Sequence, residues 1–421
     1  MSSREFDVVV FGATSVTGRR VAAYLAGLDD GPRWAAAGRD LSKVEQVLAE
    51  EGVEAPATIA ADVAAPDTLR EMAARAATVV NLVGPYTRYG EPVIEACVAA
   101  GANYVDLTGE IPFARRMFDR FDGDARDAGI KVVQTSGFES LPPDLLVLLA
   151  AETARERYSE RLAEVELEVA VTKMPPGVPR PNDLLSGGTI QSMAEVTGDR
   201  NAERVTDPGA LIADEQAAAR VRNVSPIKVG PRRGFSGAVI APMTPAAFIN
   251  PAVIHRTAAI VADDLGEPFV PFVYREGVAM GGSGATLPLR YAAAGALSAL
   301  QAGMAAATRR APSTRERISS GMRRILPGSG FGPAADRLDG WGWRMDVQAK
   351  TEGGHTVATS VDADGHPGYL TTARMMGEAG LLLAEDGATP QRSGFLTPAT
   401  ALGTGSVDRF ARAGLRFSVA D

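Results

Sequence analysis

Short apolar runs alternate with amphipathic stretches through the first 140 residues. Residues 6–11 (FDVVVF), 33–38 (RWAAAG) and 77–86 (ATVVNLVGPY) are nearly unbroken apolar runs, and 59–63 (IAADV) ends another. A strand with one wet face would alternate, so such runs predict parallel strands covered on both faces. Helical stretches lie between them, and 93–109 (VIEACVAAGANYVDLTG) and 128–138 (AGIKVVQTSGF) continue the series. The pattern then changes. In 162–171 (LAEVELEVAV), Val165, Leu167, Val169 and Val171 alternate with Glu164, Glu166 and Glu168, which predicts a strand with one solvated face in an antiparallel sheet. Residues 269–280, 343–354 and 355–364 keep strand character, the last two joined by a Gly353-Gly354 turn signal. Residues 370–387 (LTTARMMGEAGLLLAEDG) read as a helix expected to return to the first domain. No internal repeat is visible.

The first run opens directly into 12–18 (GATSVTG), and a helical stretch starts at Arg19. Gly12 permits a tight turn and Gly18 a close helix–strand approach. Backbone N–H groups across Thr14, Ser15, Val16 and Thr17 would face an anion at the helix start, where the dipole favours negative charge. A pyrophosphate fits there, although Ser15 stands where the dinucleotide fingerprint has glycine, and an ordinary strand-turn-helix remains the alternative. At the end of the second run, where the adenosine ribose is met, stands Arg39, with Ser42 and Lys43 behind it. A guanidinium takes a 2′-phosphate bidentately, so NADPH is favoured over NADH, while Asp40 keeps NADH open. Asp62 and Val63 are expected at the adenine, and Gly84 toward the nicotinamide. The fold class is α/β: a Rossmann-type parallel-sheet domain over 1–140, a second α+β domain with antiparallel sheet over 141–369, and a C-terminal helical segment over 370–421 returning toward the first.

Composition narrows the picture. A chain of 421 residues with 45% hydrophobic content buries a large core and suits two domains. The net charge of −8 gives no global basic face, so nucleic acid is not an expected partner. Cys97 is the single cysteine, in an apolar helical stretch, which excludes intrachain disulfides and reads as a buried structural thiol. The start MSSREFDVVV shows no export signal, so a reduced, cytoplasmic protein is expected. Three histidines far apart, His255, His355 and His366, show no ligand spacing, and no metal site is expected. Residues 289–326 join an alanine-rich helix to a basic stretch with Arg309, Arg310, Arg315, Arg317, Arg323 and Arg324. A core helix followed by a solvated arginine-rich loop carries most weight; peripheral membrane contact and docking of an anionic acyl carrier share the rest.

The blocks 12–18, 83–110 (VGPYTRYGEPVIEACVAAGANYVDLTGE), 136–146 (SGFESLPPDLL), 186–196 (SGGTIQSMAEV), 365–384 (GHPGYLTTARMMGEAGLLLA) and 394–403 (GFLTPATALG) resemble the saccharopine-dehydrogenase-like oxidoreductases, in order over nearly the whole chain. Within that group the sequence most closely resembles the actinobacterial trans-acting enoyl reductases, which serve polyketide synthases in lipid biosynthesis. The resemblance implies an NADPH-dependent Rossmann domain, a substrate and homodimerisation domain, and an acyl or polyketide thioester substrate carried on an acyl carrier protein. Residues 327–333 (PGSGFGP) look expanded relative to the family's turn, and Ser15 departs from its glycine pattern. Two other readings stay open: saccharopine-type amine or imine oxidoreduction, which needs several cations for carboxylates, and a non-catalytic lipid-associated protein that keeps the fold.

Enoyl reduction needs hydride at the β-carbon, stabilisation of an enolate oxygen and a proton for the α-carbon. Tyr86, just after the fourth run, is the catalytic candidate, against a reading in which its ring only packs under the cofactor. No tyrosine has lysine four residues later, which removes the pair used by short-chain dehydrogenases. Ser186 and Thr189 precede a helix and are candidates for the thioester oxygen, with helix capping as the equal alternative. Ser136, Glu139 and Ser140 follow a strand on the substrate edge; Ser140 reads foremost as a helix start. Glu110 reads as an acid or a structural carboxylate and is left unassigned.

Overall fold

The computed structural model describes residues 4–176, 187–243, 245–281, 286–325 and 337–420. Its first part runs β1 (Phe6–Phe11), α1 (Gly18–Ala26), β2 (Trp34–Gly38), α2 (Leu41–Glu50), β3 (Thr58–Ala60), α3 (Pro66–Arg75), β4 (Ala76–Asn81), α4 (Tyr86–Ala100), β5 (Asn103–Asp106), α5 (Ile111–Asp127), β6 (Lys131–Val133) and α6 (Leu141–Tyr158). The second runs β7 (Leu162–Lys173), α7 (Gly187–Gly198), α8 (Glu215–Val224), β8 (Arg232–Arg233), β9 (Val239–Ala241), α9 (Asn250–Asp264), β10 (Val273–Ala279), α10 (Leu287–Thr308), α11 (Pro312–Ile325), β11 (Gly342–Thr351) and β12 (Thr356–Asp364). The chain ends with α12 (Thr372–Ala384), β13 (Gly394–Leu396), α13 (Pro398–Leu402) and β14 (Leu415–Val419).

Two seven-stranded sheets result. The first is parallel throughout, in the order β13-β6-β5-β4-β1-β2-β3. Its continuous apolar runs serve both faces: along β1, Val8 and Val10 enter one core while Val9 and Phe11 enter the other. α12 covers the first of these faces and is buried on nearly every side, as its apolar composition requires. Gly380 lets it come close, since a Cβ there would stand 2.8 Å from Val80. Its buried Glu378 is neutralised by Arg409 and Arg412.

The second sheet, β14-β12-β11-β7-β10-β9-β8, contains the expected antiparallel pairing and is mixed through one parallel pair. β7 pairs antiparallel with β11 but parallel with β10. The long excursion between β7 and β10 gives the chain room to return in the same direction, which a hairpin cannot do. The β11–β12 hairpin turns at Gly353-Gly354, where Gly354 has φ +90°. Along β7, Val165, Leu167 and Val169 are buried, while Glu164 and Glu166 pair with Arg275 and Arg232; at the strand's end the expectation fails, Glu168 being buried and Val171 45% exposed.

Two expectations change. The C-terminal segment is not only helical: β13 extends the first sheet beside β6, and β14 closes the second beside β12. The basic stretch after the alanine-rich helix is not a loop but α11, laid across α7. Arg315 is buried and bonds the carbonyls of Thr308 and Arg200, and Arg323 pairs with Glu195. Residues 327–333 lie outside the described residues. No helix among the described residues is long and apolar enough to cross a membrane.

Candidate functional site

A cavity of about 650 Å³ runs along the C-terminal edge of the parallel sheet, where open α/β sheets bind ligands. Gly12, Thr14, Ser15, Val16 and Thr17 line one end. Gly12 has φ +89°, and a Cβ there would stand 2.8 Å from Val83. A Cβ on Gly18 would overlap the Gly12 carbonyl oxygen, so this helix can meet this turn only through glycine. Ser15 replaces the expected glycine usefully: its Oγ accepts the Gly18 N–H at 2.9 Å, and its own N–H donates to the Gly12 carbonyl. The Thr14, Val16 and Thr17 N–H groups have no acceptor among the described residues and remain for an anion.

Arg39 and Lys43 line the same end, exposed, with no carboxylate paired to either side chain among the described residues. Asp40 is engaged elsewhere. It caps α2, its side chain accepting the Lys43 N–H at 3.1 Å, and it does not line the cavity. The residue that would have favoured NADH is thus taken by the helix. Asp62 and Val63 line the wall beyond β3, with Asp62 Oδ1 accepting the Ala64 N–H. Free N–H groups, a glycine cradle and two cations fit a dinucleotide with a 2′-phosphate.

Gly84 and Tyr86 stand further along the cavity. Tyr86 corrects the catalytic expectation. Its residue is 4% exposed, and its hydroxyl donates to the Asn81 carbonyl at 3.1 Å. Burial raises its pKa further, which keeps the phenol neutral and makes it a weaker acid. Glu110 resolves as structural: its carboxylate accepts the N–H groups of Tyr86 (3.0 Å) and Thr87 (2.7 Å) and the Ser192 hydroxyl (2.7 Å). It caps the start of α4 and ties α7 over the cavity. Glu195 of α7 adds a second tie, paired with Arg88 of α4 at 2.7 Å.

Leu107, Met193, Val205, Phe248, Ile249 and Met304 give the far half an uncharged, largely apolar wall, with Gln191, Ser192 and Thr197 among them. Ser140 lines it, but its hydroxyl donates to Asn250 Oδ1 at 2.7 Å and does not cap α6. Asn250 in turn donates to the Glu139 carbonyl and to Glu276. Ser140 is therefore a buried link, not a free substrate contact. Ser186 lies outside the described residues, and Thr189 falls in the first turn of α7, where Gly188 is helical and at the wall. Two features escaped the sequence. Ser192 is a small polar residue in a helix with no signal of its role. Thr135, at the wall, holds φ +61°, a conformation that a β-branched residue rarely adopts, with its N–H accepted by Asp106. Glu139, noted only as a polar neighbour, presents a carboxyl to the cavity that burial shifts upward.

Among the described residues no group of three or more His, Cys, Asp or Glu side chains could hold a metal ion. Fold and site together define a dinucleotide-dependent oxidoreductase. The sequence matches the saccharopine dehydrogenase NADP binding domain over residues 8–167. It is 32% identical to a trans-acting enoyl reductase of Mycobacterium ulcerans and 31% identical to one of Mycobacterium bovis, each over 98% of this chain and 97% of the relative. The L-Glu-forming saccharopine dehydrogenase of Saccharomyces cerevisiae shares the fold, with TM-score 0.53 and 14% identity over 98% of this chain and 99% of that one. The chain belongs to the trans-acting enoyl reductase family of saccharopine dehydrogenase-like oxidoreductases, and it is an NADP-dependent reductase.

Proposed function

We propose that the protein reduces the carbon–carbon double bond of an enoyl thioester. The observation that carries this reading is the distribution of charge in the cavity. Arg19, Arg39 and Lys43 are the cations among its described lining residues, and all stand at the cofactor end. An amino-acid or imine substrate brings carboxylates that need cations in the other half. Arg88, close by on α4, is paired with Glu195 and does not line the cavity. The apolar half suits an acyl chain instead.

NADPH, when bound, supplies the hydride. The chain's own residues hold and exclude. The turn N–H groups take the pyrophosphate, and Arg39 with Lys43 takes the 2′-phosphate. The Tyr86 ring and Gly84 form the wall near the reacting end. The first turn of α7, with Gly188 at the wall, turns the positive end of a helix dipole toward an enolate oxygen. α7 and the apolar residues of the far half keep water out.

The relatives' names describe enzymes acting in trans, and the surface beside the cavity suits a substrate held on an anionic carrier in lipid or polyketide synthesis. Met304, Ala305 and Thr308 of α10 line the cavity, and Ala305 also lines a neighbouring groove with Ile227, Val229, Ala302, Ala306, Arg309 and Arg310. Arg309, Arg310, Arg317 and Arg324 have no ion-pair partner among the described residues. Supplying NADPH with enoyl thioesters and, separately, with amino acid plus keto acid tests the reading. Reduction of the enoyl series alone is expected; reductive amination alone would replace it with the saccharopine-type activity.

A further inference from the structure

We propose that Glu139 is the catalytic acid that delivers the α-carbon proton in the enoyl reduction proposed above, a role that rests on that reading. The product needs a proton at this carbon, and the donor must reach the cavity. Among the ionisable residues of its described lining, most are otherwise engaged. The Tyr86 hydroxyl donates to Asn81 and Asp62 accepts from Ala64 at the adenine end, while the phenols of Tyr89 and Tyr369 are far weaker acids than a carboxyl. The Glu139 side chain makes no hydrogen bond or ion pair to another of the described residues; only its own backbone N–H bears on it.

The fold holds this carboxyl in place through its main chain. Glu139 lies in the segment between β6 and α6. The Ser136 N–H donates to the Asp106 carbonyl at 2.8 Å, the Phe138 N–H to Thr372 Oγ1 at 3.2 Å, and Asn250 Nδ2 to the Glu139 carbonyl at 2.7 Å. The side chain is thus free to serve while its root is fixed from β5, α9 and α12, the preorganisation that proton transfer requires. Its surroundings shift it toward the protonated form. Burial is the dominant cause, and no charged group shifts it. The acids on the packed elements have partners of their own: Asp106 with Tyr104 and Thr108, Glu110 with Ser192, Asp144 with Thr257, and Glu276 with Tyr274 and Asn250. His366 and Tyr369 stand in the turn before α12, and Tyr369 also lines the cavity.

The step balances. Hydride arriving at the β-carbon leaves the double-bond pair on the α-carbon and the thioester oxygen as an enolate. The Glu139 O–H bond breaks, its proton forms the new C–H bond at the α-carbon, and the carbonyl re-forms. The carboxylate left behind regains a proton from water at the cavity mouth.

Glu139→Gln keeps the shape and removes the proton. Its kcat is expected to fall roughly a hundredfold or more, with NADPH affinity unchanged. Wild-type protein in heavy water should place one deuteron at the α-carbon in a single configuration, and the variant should give a mixture. The wild-type rate should fall as rising pH ionises Glu139, and this limb should vanish in the variant. A readout independent of turnover is infrared absorption: a protonated carboxyl band present in the wild type at neutral pH and missing in Glu139→Gln. Unchanged kcat with a single configuration in the variant would overturn the role while leaving the enoyl reading intact. A wild type that reduces no enoyl thioester would remove the reading and this role together, whatever the infrared spectrum shows.

Discussion

Arg39 and Asp40 are neighbours with opposite consequences for cofactor choice, and their backbone settings separate them. Asp40 is bound to the Lys43 N–H as the cap of α2, whereas Arg39 faces the cavity with Lys43. Arg39→Glu should weaken NADPH binding roughly tenfold or more beyond any loss for NADH, because a charge-assisted contact becomes a repulsion. Fluorescence titration with both cofactors checks this, and equal losses would remove Arg39 from the phosphate site. The glycine turn is legible because Gly12 and Gly18 answer steric demands that no other residue meets. Ser15 reads as a defect in the glycine pattern, yet its hydroxyl accepts the Gly18 N–H and completes the turn. Tyr86 departs from expectation for a related reason: its position after β4 is readable, but the direction of one hydroxyl depends on the Asn81 carbonyl, which composition does not encode.

Elements meet through a few buried polar ties, and these carry their own tests. Gly18→Ala would press α1 off the turn, with a stability loss of roughly 1–3 kcal/mol and loss of NADPH binding. Near-native melting with full binding would contradict the close approach. Asp144 of α6 accepts from Thr257 of α9 at 2.5 Å and from the Ala399 N–H of α13 at 2.8 Å, and burial pushes it up to about 7. Its folded pKa lies above the unfolded value of about 4, so the unfolded chain releases this proton first as pH rises. The tie therefore contributes fully below the unfolded pKa, and its contribution is lost as pH climbs through about 7. Melting curves should show Asp144→Asn well below the wild type in Tm at about pH 5 and closer to it at about pH 8; a constant gap would refute the linkage. The sequence shows which face of β7 is buried but not the direction of its partner, since alternation encodes a face and not a neighbour. β13 is only three residues long and parallel to β6, too short to signal its place.

At the scale of the whole molecule, an acidic chain of net charge −8 carries beside its cavity a local cluster of arginines without ion-pair partners among the described residues. The exposed face of α10 adds Leu300, 60% exposed, on the same helix that leads into that cluster. Arg309→Glu with Arg310→Glu should raise KM for a carrier-bound enoyl substrate severalfold and leave a short free thioester unaffected. Equal effects on both would place the arginines outside carrier docking. The two sheets, joined by α6, β13 and β14, set the cofactor turn and the apolar half along one cavity, and this continuity underlies the proposed activity. NADPH carrying deuterium at the transferred position of C4, incubated with an enoyl thioester and followed by mass spectrometry, tests it most directly. A saturated product with one deuterium at the β-carbon is expected. Cofactor oxidation with the double bond retained, or with the label on a nitrogen-bearing carbon of another substrate, would contradict it.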